Sequence, residues 1–319
     1  LQTKVPSVPA GLRKKQHLVY LWKKILIYRY LYLMLIPCFA SFIIFSYIPM
    51  GGLLLAFKEF KFNQSVLESP WVGFQYFEQF FNDYKSMTLI KNTLIISTMK
   101  LFLGLPFPIL LALMFNEIKN RWFKNIAQSI SYLPHFMSWV IVIGLMQRML
   151  APDTGLLNET ITFFGGNGNT FFMNEAHYFY QIMFGSHIWK TIGWDSIIYL
   201  AAIAGINQDM YEAAKIDGAS KWAEVWNITL PSIRPTILIV FILSLGSILS
   251  AGFDQLYLLK MPGNAELVDI LDTYVIRVGL QQGQYGYATA VGMMQGVIGL
   301  ILVVVANRFA RKVSGTSVW

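Results

Sequence analysis

Three ionisable side chains, Lys100, Lys190 and Asp195, fall inside long apolar blocks of this chain, where a charge is costly and defaults to a functional role. Counted inward from the block ends, Lys100 lies about twelve residues deep, Lys190 about eleven and Asp195 about sixteen, a depth of roughly 16–24 Å at 1.5 Å per residue. At matched depth they can line a water-filled path. Gln147 and Tyr199 would add amide and hydroxyl partners, and Trp189 and Trp194 flat apolar faces. Structural roles compete with this reading. Trp189 and Lys190 also suit interfacial anchors, and Lys100 and Asp195 can pair between helices.

A second group is polar and sits between two apolar blocks. It runs Glu212-Ala213-Ala214-Lys215-Ile216-Asp217-Gly218 and, nine residues after the glycine, Ile228-Thr229-Leu230-Pro231. Asp209 can cap a helix start, with Glu212 three residues on completing a capping box. Ala213 and Ala214 favour helix and leave a low surface for close approach. Gly218 stands where a left-handed residue ends that helix. Ser220 can cap a second helix with Trp222, Val225 and Trp226 as its apolar stripe. Leu230-Pro231 and Arg234-Pro235 are expected to force extended turns before the next apolar block. The bland alternative is an ordinary amphipathic helix at a membrane surface.

Other chemistries find little support. No G-x-x-x-x-G-K-[ST] phosphate loop occurs, and Gly165-Gly166-Asn167-Gly168 lacks the following lysine. His17, His135, His177 and His187 stand in unrelated settings without metal-ligand spacing. No G-x-S-x-G elbow appears, and Asp153, Glu159 and Glu175 share a loop with nothing to pair them for acid–base work. The single cysteine, Cys38, permits no internal disulfide.

The elements that must position these groups follow from composition. Charged residues are only 13% of the 319, about half the share in soluble domains, and the apolar ones come in long blocks. The expected class is an all-α polytopic membrane protein. Six transmembrane helices are expected at roughly Tyr30–Leu55, Leu89–Phe115, Ile126–Leu150, Phe179–Gly205, Pro235–Phe253 and Tyr287–Asn307. Sixteen Lys and Arg residues flank them on one side and five on the other, which puts both termini and the Glu212 segment in the cytoplasm. No removable leader is expected, since the first block starts near residue 30 and lacks a small-residue cleavage site. The organisation read from this is a cytoplasmic arm 1–29, a six-span region 30–307 with an elbow at 207–235, and a cytoplasmic tail 308–319. Within the arm, Pro6, Pro9 and Gly11 suggest a loose lead. Arg13 to Arg29, with Leu18, Leu21, Trp22, Ile25 and Leu26, suits either an interfacial helix or a plain extension of the first span. Gly292, Gly296 and Gly299, and again Gly246, Ser247, Ser250 and Ala251, offer small-residue faces for close helix packing, within this chain or with a second one. The loops Phe57–Thr88, Ala151–Tyr178 and Asp254–Gly286 suit either a docking platform or a folded cap.

Written as EAA-x3-G-x9-I-x-LP, the elbow resembles the signature of membrane subunits of binding-protein-dependent ATP-driven importers, and the six-span region resembles their sugar-importing branch. The resemblance implies a bacterial cell-membrane permease subunit working with a second, homologous permease, two ATPase subunits and an external solute-binding protein. It implies no cofactor and no catalysis in this chain, ATP and Mg being bound by the partner ATPases. Asp209, Glu212, Ala213, Ala214, Asp217, Gly218, Leu230 and Pro231 would then form the coupling helix region that docks on an ATPase. The cargo implied is a saccharide, with Trp189 and Trp194 stacking on its rings, and two intramembrane lysines would suit an acidic one. A secondary transporter or channel would need no such elbow, and a membrane-embedded glycan enzyme would turn over alone.

Overall fold

The computed structural model describes residues 14–61 and 64–314. The expected loose arm with Pro6, Pro9 and Gly11, the side chains of Leu18 and Leu21, and the tail beyond Ser314 lie outside the described residues. Residues 1–54 and 55–319 form two units.

In the first unit, a helix Lys14–Ile27 ends at Tyr28, and a new one starts at Arg29. From there an apolar span, Arg29–Phe57, passes through a π turn at Ile43–Tyr47. Its helical residues Arg29–Phe42 bury nothing. The π turn falls just ahead of Pro49, which lacks an N–H; the wider turn absorbs the missing bond.

Among the described residues of the second unit, three further helices are long and apolar enough to cross a membrane: Ser86–Glu117, Lys221–Gly246 and Tyr285–Lys312. Phe179–Ala204 is long enough as well, 26 residues or about 39 Å, but carries Lys190 and Asp195. The remaining expected span, Ile126–Leu150, is not one rod. An amphipathic helix and 3-10 turn, Arg121–Phe136, meet Trp139–Met149 at a bend of 100°. Pro134 sits at the break, and Ser138 restarts the chain by accepting a hydrogen bond from the Ile141 N–H. The helix that carries the fifth span begins earlier than expected, at Lys221, so that the second half of the elbow runs into the span, and it stops at Gly246 rather than Phe253. After it the backbone unwinds through Gly252, φ +94°, into a short helix Phe253–Leu259.

Two packing regimes hold this unit together. Between helices inside a bilayer the gain comes from close contact, because lipid tails are as apolar as leucine. Close contact is visible at Gly193, where a β-carbon would strike the Ser131 carbonyl. Gly299 likewise lies against the Gly246 carbonyl, so that glycine pair seals two spans of one chain; Gly292 and Gly296 meet nothing. At one end of the bundle, Ala112, Tyr199, Ile203, Ile206 and Ile233 form a buried cluster. At the other end the loops fold into a cap. There Asn158, fully buried, donates to the carbonyls of Ala151 and Thr170. Asn264 ties Met173 to Leu259, and Asn92 reaches the carbonyls of Glu266 and Asp269. Buried amides that each donate to two carbonyls fix loop backbones at low cost.

Candidate functional sites: an exposed elbow and an intramembrane cavity

The elbow opens with Gln208–Ile216, whose cap is Asn207 rather than Asp209. Asn207 accepts from the Asp209 N–H at 3.0 Å, and its amide holds the Asp209 carboxylate at 3.2 Å. Two capping side chains compete here, and the earlier one wins because its backbone is extended. Asp209, Glu212, Ala213 and Asp217 are exposed and Ala214 is half-buried. Asp217 ends the helix, its N–H on the Ala213 carbonyl, and Gly218 follows at φ +76° with no side-chain neighbour. Ser220 caps the next helix as expected, accepting from the Ala223 N–H.

The second half of the elbow differs from expectation. Leu230-Pro231 and Arg234-Pro235 make no extended turn; both lie in the helix that starts at Leu230 and runs into the fifth span. A π turn, Val225–Thr229, precedes Pro231 and supplies the wider ring that a missing N–H requires. Trp222 and Trp226 are exposed, 73% and 65%, so the anticipated stripe is uncovered within this chain. The elbow is braced rather than floppy. The Tyr211 hydroxyl meets Thr229 Oγ1 at 2.9 Å across the hinge. Lys221 reaches the buried Glu224 at 2.7 Å and Glu117, at the end of the second span, at 3.6 Å.

A cavity of about 650 Å³ opens among the second, fourth and fifth spans, within the range of small-ligand pockets. Of the residues expected along a polar path, Lys100, Trp194, Asp195 and Tyr199 line it. Trp194 presents one face only, because His135 stacks on the other at 4.5 Å. Ser97, His187, Ser244, Ser247 and Ser250 also line the cavity, and sequence reasoning missed them as a set. The signal for Ser97 is its place three residues before Lys100, and for His187 its place seven residues before Trp194, on shared helix faces. Among the described residues, Ser97 Oγ, His187 Nδ1 and Tyr199 Oη are buried without a hydrogen-bond partner, and all three belong to cavity-lining residues.

Gln147 and Trp189 are exposed and line no part of this cavity, and neither does Lys190. Lys190 is buried, and its ammonium donates to the carbonyls of Pro134 at 3.3 Å, His135 at 2.7 Å and Met137 at 2.5 Å. The Pro134 carbonyl also accepts from the Met137 N–H, whereas those of His135 and Met137 stand where the helix is interrupted at the 100° break. Lys190 therefore satisfies the break instead of facing a path. Lys100 and Asp195 do not pair with each other. Lys100 instead donates to the Ala251 carbonyl at 2.8 Å and to Gln255 Oε1 at 2.7 Å.

Long apolar helices, a cavity between them with polar groups set in its wall and a hinged elbow leading into them define a helical membrane protein of the permease class. The chain belongs to the family of binding-protein-dependent transport system inner membrane components, whose model matches residues 104–315. It is 43% identical to the polygalacturonan/rhamnogalacturonan transport system permease protein YteP of Bacillus subtilis, over 98% of this chain and 97% of that one. It is 42% identical to the protein LplB of the same organism, over 89% of each. Among solved structures it is similar to a chain of a bacterial alginate ABC transporter in complex with alginate pentasaccharide-bound periplasmic protein. That match has a TM-score of 0.84 and 42% identity, covering 93% of this chain and 99% of that one.

Proposed function

We propose that this permease carries a saccharide, an acidic oligosaccharide foremost, through the cavity bounded by Lys100, Trp194, Asp195 and Tyr199. The observation that carries this reading is the cluster of unpartnered polar atoms, on Ser97, His187 and Tyr199, beside a cavity that Lys100 also lines. These atoms are covered in this conformation; when the cavity wall moves, a polyhydroxylated solute can complete their hydrogen bonds, and a cation favours one bearing carboxylates. The names of the relatives, a polygalacturonan/rhamnogalacturonan permease and an alginate transporter, support the same cargo class.

The driving force comes from outside the chain. Two partner ATPase subunits bind ATP and Mg and close on hydrolysis cycles, and the exposed elbow around Glu212, Ala213 and Ala214 transmits that motion. A second, homologous permease completes the path, and an external solute-binding protein delivers the cargo. Both termini and the elbow face the cytoplasm of a bacterial cell, as the lysine and arginine distribution supports. Rocking of the spans then switches the cavity from outside to inside access.

The test is saccharide-stimulated ATP hydrolysis and uptake by the assembled importer in proteoliposomes. Stimulation by uronate oligomers delivered with the binding protein is expected. Uptake driven by an ion gradient without ATP would instead indicate a secondary transporter, and sugar turnover by the isolated chain would indicate an enzyme.

A further inference from the structure

The backbone between the fifth span and Phe253–Leu259 is non-helical from Ser250 to Gly252. Polar backbone left open at membrane depth is tolerated only where protein groups or water satisfy it. Here the satisfying groups come from other elements of the bundle. Lys100, on the second span, donates to the Ala251 carbonyl at 2.8 Å. Asp272 reaches the same stretch through Gln295, which bridges it to the Leu249 carbonyl. One peptide segment is thus held by a lysine at one carbonyl and by a carboxylate-anchored glutamine at another.

Two glutamines extend the grip to further elements. Gln295, on the sixth span, donates to Asp272 Oδ1 at 3.1 Å and to the Leu249 carbonyl at 3.0 Å. Gln255 accepts from Lys100 at 2.7 Å and donates to the Met183 carbonyl and to Ser186 Oγ on the fourth span. Gly252 belongs to the same device. Its φ of +94° favours glycine, and a β-carbon there would stand 3.0 Å from the Lys100 Nζ. The gripped stretch is also cavity wall, through Ser247, Ile248 and Ser250.

We infer that Lys100 and Asp272 form a latch on the break that follows the fifth span, holding the cavity wall in one position until the latch opens. Lys100 is in this role a positioning residue. Charge-assisted bonds to backbone are stronger than neutral ones, so the latched wall is the favoured state and its release is a discrete event. In the working importer the latch restrains ATP turnover when no cargo is present. That second readout rests on the import reading above; the first, below, does not.

The test uses the complete importer in proteoliposomes, with Cys38→Ser and Leu249→Cys in the permease and a membrane-impermeant thiol reagent, Leu249 being buried while the latch is closed. Lys100→Met and Asp272→Asn should each speed labelling at position 249 by about ten-fold, the size expected for losing one charge-assisted bond on a local opening. Both should raise cargo-independent ATP hydrolysis, while Lys100→Arg keeps the labelling rate within about two-fold of the parent because it keeps the cation. Labelling unchanged in assembled Lys100→Met and Asp272→Asn complexes overturns the latch. If Lys100→Met does not assemble, Asp272→Asn and Gln295→Leu decide the matter by the same readout. A complex that hydrolyses no ATP at all counts against the import reading, and labelling still judges the latch.

Discussion

Lys190 and His135 are 55 residues apart in sequence, yet the ammonium of one sits 2.7 Å from the carbonyl of the other. The same ammonium takes the carbonyls of Pro134 and Met137 and lies 5.5 Å over the Trp139 ring. A buried cation here is the price of bending a helix by 100° inside an apolar bundle. Replacing Lys190 by Met should therefore lower the thermal stability of the detergent-solubilised permease by about 3 kcal/mol, since the buried carbonyls of His135 and Met137 lose a charged donor. The affinity for cargo in whatever fraction remains assembled should stay unchanged. A large rise in the cargo KM with stability intact would return Lys190 to the solute path.

Gly193 gives a second test of the same neighbourhood. A β-carbon built there stands 2.0 Å from the Ser131 carbonyl oxygen, and backbone cannot yield as a side-chain tip can. Gly193→Ala should cost about 1–3 kcal/mol by overpacking. Gly144→Ala, with open space around it, should cost well under 1 kcal/mol on the same melting assay.

The hinge of the elbow separates backbone from contact effects cleanly. Gly218 has a positive φ and no side-chain neighbour, so substitutions there act through conformation alone. Gly218→Asn should be tolerated, Gly218→Ala should cost about 1 kcal/mol, and Gly218→Pro, which cannot adopt positive φ, should disrupt the hinge. Co-purification of the partner ATPase is expected to fall in that order. Equal retention by all three variants would mean that the hinge geometry is irrelevant to docking.

Within the cavity, Tyr199→Phe removes a hydroxyl that has no partner in the protein. Stability should change by less than about 1 kcal/mol, because no bond within the chain is lost. The concentration of saccharide needed for half-maximal uptake should rise several-fold, because a hydrogen bond to the cargo is lost. Unaltered uptake would remove Tyr199 from the path.

How much of this was legible beforehand differs by element. Gly218 was, because glycine after a short helix carries a specific backbone requirement. The elbow's second half was not. A proline after Thr229-Leu230 is compatible with an extended turn or with a π turn, and only the packing of Leu230–Gly246 into the bundle selects the latter. Asp209 has the right type for a cap, but Asn207 has the extended backbone. Hydropathy located the third span and not its 100° break, since Pro134 permits a kink without dictating its size. Depth along a helix put Lys100 and Lys190 at one level. It carried no information on azimuth, and azimuth separates a residue beside the cavity from one buried at a break.

The measurement that bears most directly on the central claim is cross-linking at Ala213. In a permease carrying Cys38→Ser and Ala213→Cys, a thiol-reactive cross-linker added to the assembled complex should join this exposed position to an ATPase subunit, with a yield that changes on adding ATP. Labelling of that cysteine from outside intact cells, with no ATPase adduct under any nucleotide condition, would contradict it.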